Sequence, residues 1–241
     1  YDRTETSVQA FYTSKNEITN ELYKLFVKEH PEHASKSELW SGVVPYAKRL
    51  ENDYANHSKF NKMPVVNISK KSMIAFCDWL TKKYNEMEKS ELKDLKFRLP
   101  TEVEWEMAAQ GGKKLAPYPW AGPYLRNSKG CHLANHAALP ERWIVETQNS
   151  FIKPGVTKNE AYSVSNLDGA YLPAKVDSYH PNAYGLYNMS GNVSELVSDK
   201  AVTKGGSWGS FAPHLLIKSQ EAFNGASPYV GFRVVATYVG K

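Results

Sequence analysis

The sequence predicts a single α+β domain with little regular secondary structure and long loops. The chain has 241 residues, with fifteen Tyr and six Trp, which favours a core of scattered aromatic side chains. Amphipathic segments alternate with short extended stretches in its first half. After Gly112, regular periodicity disappears for about seventy residues, which is long for a compact domain. No repeat or linker divides the chain, so one domain is expected over residues 1–241.

The first predicted helix follows a short strand-like stretch. Apolar residues recur there at helical spacing: Ile18, Leu22, Leu25 and Phe26. We expect this helix to end before Pro31, because proline cannot continue a helix from the preceding turn.

Residues 64–69 read as a short strand, and a second amphipathic helix follows. One side of this helix carries Met73, Phe76, Cys77, Leu80, Tyr84 and Met87. A cysteine in such a pattern is expected to be a buried thiol. The sequence leaves open whether Cys77 pairs with Cys131, the one other cysteine.

The third helix has the clearest local signals. After an extended stretch at 97–99, Thr101 and Glu104 form a predicted capping box, and Gly111 supplies a residue that tolerates the left-handed conformation at a helix end. Near the end of the chain, residues 203–207 and 231–239 are predicted to pair as two strands closing a small sheet.

Charge and hydropathy exclude two classes of partner. The net charge of +5 is mild, and Lys and Glu are mixed along the chain, so nucleic-acid binding is not expected. No apolar run reaches the length of a membrane span. The sequence starts at Tyr1 without a hydrophobic leader, and we expect any targeting signal to lie outside it.

Five blocks carry a resemblance to a known family. They are MPVVNIS (63–69), FRLPTEVEWEMAAQGG (97–112), YPWAG (118–122), NAYGLYNMSGNVSEL (182–196) and KGGSWGS to GFRVV (204–235). In this order they resemble the formylglycine-generating-enzyme, or sulfatase-modifying-factor, domain. The resemblance implies an α+β fold of the C-type-lectin-like superfamily. Its paradigm enzyme oxidises a sulfatase cysteine with oxygen and a copper(I) ion held by two thiolates.

The family's two catalytic cysteine positions fall here on Ser210 and Leu215. Copper(I) is a soft ion that needs sulfur ligands, and neither residue provides one. We therefore expect a pseudoenzyme without bound copper.

A calcium site is predicted around the turn at Gly191. Calcium prefers six to eight oxygen ligands, and this turn can bring together the side chains of Asn188 and Glu195 with the carbonyls of Gly191 and Val193. These four positions match the family's second calcium site. A solvated glycine-asparagine turn is the alternative.

The resemblance implies another calcium site from distant segments. Its ligands would be the Asn135 and Asp168 side chains and the His136 and Ala170 carbonyls. Both ions would be structural, holding loops that lack regular backbone pairing.

Two further site hypotheses rest on fewer residues. His132 and His136 have the spacing of two ligands on one helical face, with a loop carrying incidental polar side chains as the alternative. A ligand groove is predicted along the former substrate site, with core packing as the alternative. Its residues would be Ser207, Trp208, Ser210 and Phe211, with Tyr229 and Phe232 beside them.

The leading functional hypothesis is a calcium-stabilised, non-catalytic domain that binds a protein or glycan partner or serves in assembly. SELVSDKAVTKGGSW (194–208) looks like envelope lipoproteins of gliding and type IX secretion systems, which implies the periplasm or an outer-membrane lipoprotein. The alternatives are a metal-dependent oxidoreductase with altered chemistry and a carbohydrate- or peptide-binding module.

Overall fold

A computed structural model describes residues 7–41, 43, 50–51, 53–87, 92–137 and 172–240. The α-helices include Asn20–Glu29, Lys70–Glu86 and Glu102–Gln110. Short 3-10 helices lie at Pro31–His33, Ser37–Trp40, Ser58–Phe60 and Ala212–Leu215. None of the helices in the described parts of the chain has the length and apolar character needed to cross a membrane.

The first helix begins later than its apolar pattern suggests. Thr19 caps it by accepting a hydrogen bond from the Leu22 backbone, so Ile18 lies before the helix. Tyr23 and Phe26 form its buried side, whereas Leu25 is 47% exposed, contrary to the predicted face. The helix ends at Glu29, ahead of Pro31 as predicted.

The strand predicted at 64–69 is wrong. Only Pro64 forms a β-bridge, with Thr19, and the Val65 amide donates to the Ile18 carbonyl. Asn67 has a φ of 61°, and this left-handed backbone breaks the extended path that a ladder requires.

The second helix confirms most of its predicted buried side. Met73, Phe76 and Cys77 are buried, and Leu80 and Tyr84 are half-buried, whereas Met87 lies past the helix end and is 57% exposed. Both cysteines of the chain are free thiols.

The third helix confirms the capping box. The Thr101 hydroxyl accepts from the Glu104 amide, and the Glu104 carboxylate accepts from the Thr101 amide. Gly111 ends the helix with a φ of 56°, in the left-handed region that glycine tolerates.

The strands of the described residues form two small sheets. In the first, β1 (Tyr12–Thr13) and β2 (Leu95–Arg98) flank β7 (Val235–Tyr238). The second has the order β5-β4-β3-β6 and contains β3 (Ser194–Leu196), β4 (Val202–Lys204), β5 (Glu221–Ala222) and β6 (Val230–Gly231).

The predicted pairing of 203–207 with 231–239 is wrong, because β4 and β7 belong to different sheets. Residues 232–234 carry the chain from one sheet to the other. Alternating side chains indicate an extended segment but do not specify its partner, which the register against distant strands decides.

Aromatic side chains are spread through the core, as predicted. Trp40 and Trp208 are fully buried in one cluster, with ring centroids 6.4 Å apart, and Trp105 is fully buried in another. The apolar cluster between the first two helices includes Phe26 and Phe76, whose rings meet edge to face at a centroid distance of 5.7 Å. Phe232 and Val234 of the segment between the two sheets belong to the same cluster, and so does Leu196 of β3.

Candidate functional site

The centre of the candidate site is a buried ion pair on β3. The Glu195 carboxylate accepts from Arg233 at both oxygens, with Nε–Oε2 and Nη2–Oε1 distances of 2.6 Å each. Its Oε2 also accepts from Trp105 Nε1 at 2.7 Å. Arg233 also donates from Nη2 to the Tyr187 carbonyl at 2.9 Å and from Nη1 to the Ser14 carbonyl at 3.3 Å. These bonds compensate for the water that both charges lose on burial.

A second buried carboxylate, Glu17, joins this network. Its two oxygens accept from Asn188 Nδ2 at 3.1 Å and from Asn192 Nδ2 at 2.8 Å. Burial raises the pKa of Glu17 from 4.5 to about 7, against the opposing charge of Arg233 and with the aid of Glu195. Glu195 thus binds the Arg233 guanidinium directly, and the charge of Glu17 acts on the same guanidinium in a low-dielectric interior.

Sequence reasoning missed Glu17 as a site residue. The available signal was its place directly before Ile18, at the start of an apolar pattern inside the stretch that resembles the family's opening segment. A carboxylate there requires a buried partner or an uptake of a proton.

The segments of the two predicted calcium sites touch each other. The Asn192 amide donates to the Asn135 carbonyl at 2.8 Å, and Asn135 Nδ2 donates to Asn192 Oδ1 at 3.3 Å. Gly191 packs so closely that a Cβ there would lie 2.3 Å from the Asn135 carbonyl oxygen. His136 is adjacent and buried. Asp168 and Ala170 lie outside the described residues.

The oxygen atoms around Gly191 are of the type that a hard cation prefers, but some of them already accept hydrogen bonds. Glu195 Oε2 has two donors, whereas Oε1 has one and keeps a second lone pair. Asn188 Nδ2 donates to Glu17 and to the Val176 carbonyl, so its Oδ1 stays available as a ligand. The Gly191 and Val193 carbonyls are the other two oxygens of the predicted site, and calcium would bind Glu195 there through one oxygen. Calcium at this site stays a prediction.

The two residues predicted to stand at the family's cysteine positions are part of the packed interior. Ser210 is buried in a turn in which its Oγ accepts from the Ser207 amide at 3.0 Å and contacts Ser207 Oγ at 3.1 Å. Leu215 is 0% exposed and packs with Tyr118 and Ala134. Its carbonyl accepts from the Ser190 hydroxyl at 2.6 Å.

The predicted groove residues are mostly covered. Trp208 is buried, stacks against Tyr229 with centroids 4.7 Å apart, and donates from Nε1 to the Pro228 carbonyl. Phe232 is fully buried in the cluster between the helices. Phe211 and Tyr229 are partly exposed. The buried Trp208 and Phe232 offer no free ring face to a sugar.

The segment that carries His132 and His136 is not helical; His132 instead forms a β-bridge with Arg126. The two imidazoles nevertheless meet, with His132 Nδ1 3.3 Å from His136 Nε2. Over the described ranges, no group of three or more His, Cys, Asp or Glu side chains is placed to hold a metal ion.

Comparison with known proteins gives a family match over nearly the whole chain. The family described as "Sulfatase-modifying factor enzyme 1-like domain" matches residues 2–238. A formylglycine-generating enzyme of Thermomonospora curvata is 33% identical over 162 residues, which cover 66% of this chain and 42% of that protein. An inactive Cα-formylglycine-generating enzyme 2 of Bos taurus is 30% identical over 155 residues, covering 61% and 39%. The chain thus spans less than half the length of these relatives.

A solved structure supports the same fold. PvdO from Pseudomonas aeruginosa is similar with a TM-score of 0.62 and 18% sequence identity, over 94% of this chain and 80% of that one. The predicted α+β fold is confirmed.

Proposed function

The chain belongs to the sulfatase-modifying factor enzyme 1-like family, and from that membership we propose that it is a non-catalytic member that acts in binding or assembly. The observation that carries this proposal is the state of the two cysteine positions. Ser210 and Leu215 replace the thiols on which the family's copper chemistry depends, and both residues are buried.

Leu215 is a core residue in chemical terms. A fully buried leucine between Tyr118 and Ala134 stabilises the fold by the apolar surface that it removes from water. It has no lone pair for a metal ion. The Ser210 hydroxyl accepts a hydrogen bond from the Ser207 amide. Both residues therefore stabilise the folded chain at the positions where the family has its cysteines.

The two thiols of the chain do not replace the missing pair. Cys77 lies in the cluster between the first two helices, whereas Leu215 belongs to a different cluster. Burial raises the pKa of the Cys77 thiol to about 12, so it stays protonated at neutral pH and is a poor ligand and nucleophile. Cys131 is exposed.

The relatives are consistent with a lost activity. A protein whose name states that it is inactive is 30% identical to this chain. The likeness of 194–208 to bacterial envelope proteins supports a finer proposal, namely a protein or glycan partner in gliding or type IX secretion machinery outside the cytoplasm. In that setting, calcium at Asn188–Glu195 would hold the loops of a scaffold that has no reaction to perform.

The test is an assay for cysteine oxidation. The protein is supplied with copper(I), oxygen and a cysteine peptide of the sulfatase type, with the Thermomonospora curvata enzyme as positive control. We expect no oxygen consumption above the protein-free rate and, by mass spectrometry, no conversion of the peptide cysteine to an aldehyde. Conversion of the peptide to an aldehyde by this chain would overturn the proposal.

A further inference from the structure

Two imidazole nitrogens face each other beside the former active site. The distance from His132 Nδ1 to His136 Nε2 is 3.3 Å, the ring centroids are 5.2 Å apart, and the planes are inclined by 65°. Hydrogen bonds from N–H groups cluster near about 2.9–3.0 Å. The contact is therefore long for a direct bond between two neutral rings.

The other nitrogen of His136 determines its tautomer. His136 Nδ1 lies 2.7 Å from the Ala137 carbonyl oxygen. A carbonyl accepts only, so Nδ1 carries the proton and the neutral ring presents an unprotonated Nε2 toward His132. Histidines that bind metals characteristically donate their second N–H to a carbonyl or carboxylate in this way.

The spacing fits two ligands of one metal ion. Zinc binds imidazole nitrogen at about 2.0–2.1 Å, and a tetrahedral angle between two such bonds separates the nitrogens by roughly 3.3 Å. The observed 3.3 Å equals that bite distance. His132 Nδ1 can bind an ion in the tautomer that has its proton on Nε2.

The pair lies next to the residue that replaces the first family cysteine. The Ala137 amide donates to the Ser210 carbonyl at 3.0 Å, and Ala134 packs against Leu215. His136 is buried and His132 is half-buried, so an ion could reach the pair from the His132 side. The preceding Cys131 is exposed.

We propose that His132 Nδ1 and His136 Nε2 bind a divalent transition-metal ion of the zinc class. Two imidazoles suit zinc, copper(II) or nickel. Calcium prefers oxygen ligands, so this site is chemically distinct from the predicted calcium sites. Metal binding requires no turnover and can hold or fail irrespective of the non-catalytic role.

The experiment titrates the metal-free protein with copper(II) and records its electron paramagnetic resonance spectrum, with zinc affinity measured by calorimetry. We expect one bound ion with hyperfine splitting from two nitrogens. His132→Gln, at the half-buried position, should weaken zinc binding at least tenfold while circular dichroism stays unchanged. His180→Gln is the matched control, because His180 is an exposed imidazole elsewhere on the surface, and it should leave affinity unchanged.

Two results would overturn the site. One is zinc affinity that is equal in the wild type and in folded His132→Gln. The other is a copper spectrum without splitting from a second nitrogen, which would mean that the two imidazoles do not bind one ion together.

Discussion

Arg233 and Glu195 form a two-point ion pair in the interior, and each side chain is 1% exposed. Breaking such a pair leaves a buried charge without compensation, which costs about 3–5 kcal/mol. Loss of Arg233 would also remove the positive charge that acts on Glu17, a second buried carboxylate.

Replacing Arg233 with leucine is therefore expected to destabilise the protein by about 3–5 kcal/mol, measured by urea unfolding. Arg126→Leu provides the control, because Arg126 is exposed and should change stability by less than about 0.5 kcal/mol. Equal effects of the two substitutions would show that the buried pair is not a major contributor.

Glu17 should make stability depend on pH. Burial raises its pKa from 4.5 to about 7, so the folded protein holds a proton that the unfolded chain releases. The stabilisation is complete below pH 4.5 and is lost as pH rises through about 7, by an amount on the order of 3 kcal/mol.

Unfolding free energies of the wild type and Glu17→Gln between pH 4 and 8 test this expectation. Relative to the wild type, the unfolding free energy of Glu17→Gln should increase as the pH rises. This change with pH is expected even if the substitution also shifts stability by a constant amount. Parallel curves over this range would contradict a raised pKa at Glu17.

The contact of Gly191 with Asn135 predicts a steep cost for any side chain. Gly191 has a φ of +78°, and an added Cβ would meet the Asn135 carbonyl oxygen at 2.3 Å. Gly191→Ala should cost at least about 2 kcal/mol more than Gly130→Ala.

Gly130 is the matched position, since its φ is +81° and nothing lies within 4 Å of its added Cβ. Both variants carry the backbone strain of a left-handed alanine, about 1–2 kcal/mol. Thermal or urea unfolding gives the difference, and similar losses at both positions would exclude the close contact.

Leu215→Ala tests whether Leu215 is a residue of the hydrophobic core. Removal of a fully buried leucine should cost about 2–5 kcal/mol, and Leu115→Ala, at an exposed leucine, should cost less than about 0.5 kcal/mol. A neutral Leu215→Ala, measured by urea unfolding, would mean that this position faces an open groove.

Calcium should raise the melting temperature of protein stripped with chelator. At a hundredfold excess over Kd the stabilisation is about 2.7 kcal/mol, which corresponds to about 5–10 °C for a chain of this length. Magnesium at the same concentration is the control, because its small octahedral shell is matched poorly by carbonyl donors. Identical melting curves with chelator and with calcium would remove calcium from the proposed function.

Several features could be predicted because their causes lie within a few residues. The capping box needs only Thr101 and Glu104, three positions apart, and the buried side of the second helix repeats with the helical period. The family blocks likewise led to the prediction, from the sequence alone, that serine and leucine stand where the family has its two cysteines.

Tertiary structure alone decided which charges are paired and which strands are neighbours. Glu17 and Asn192 are 175 positions apart, and Arg233 reaches Glu195 from another segment. A carboxylate in the sequence looks the same whether it will be solvated or buried, because its cost depends on partners that only the folded chain brings near. The sequence thus determined that the copper-binding thiols are missing from positions 210 and 215. The packing decided that Leu215 is buried, that Ser210 accepts a hydrogen bond within its turn, and that the imidazoles of His132 and His136 meet nearby.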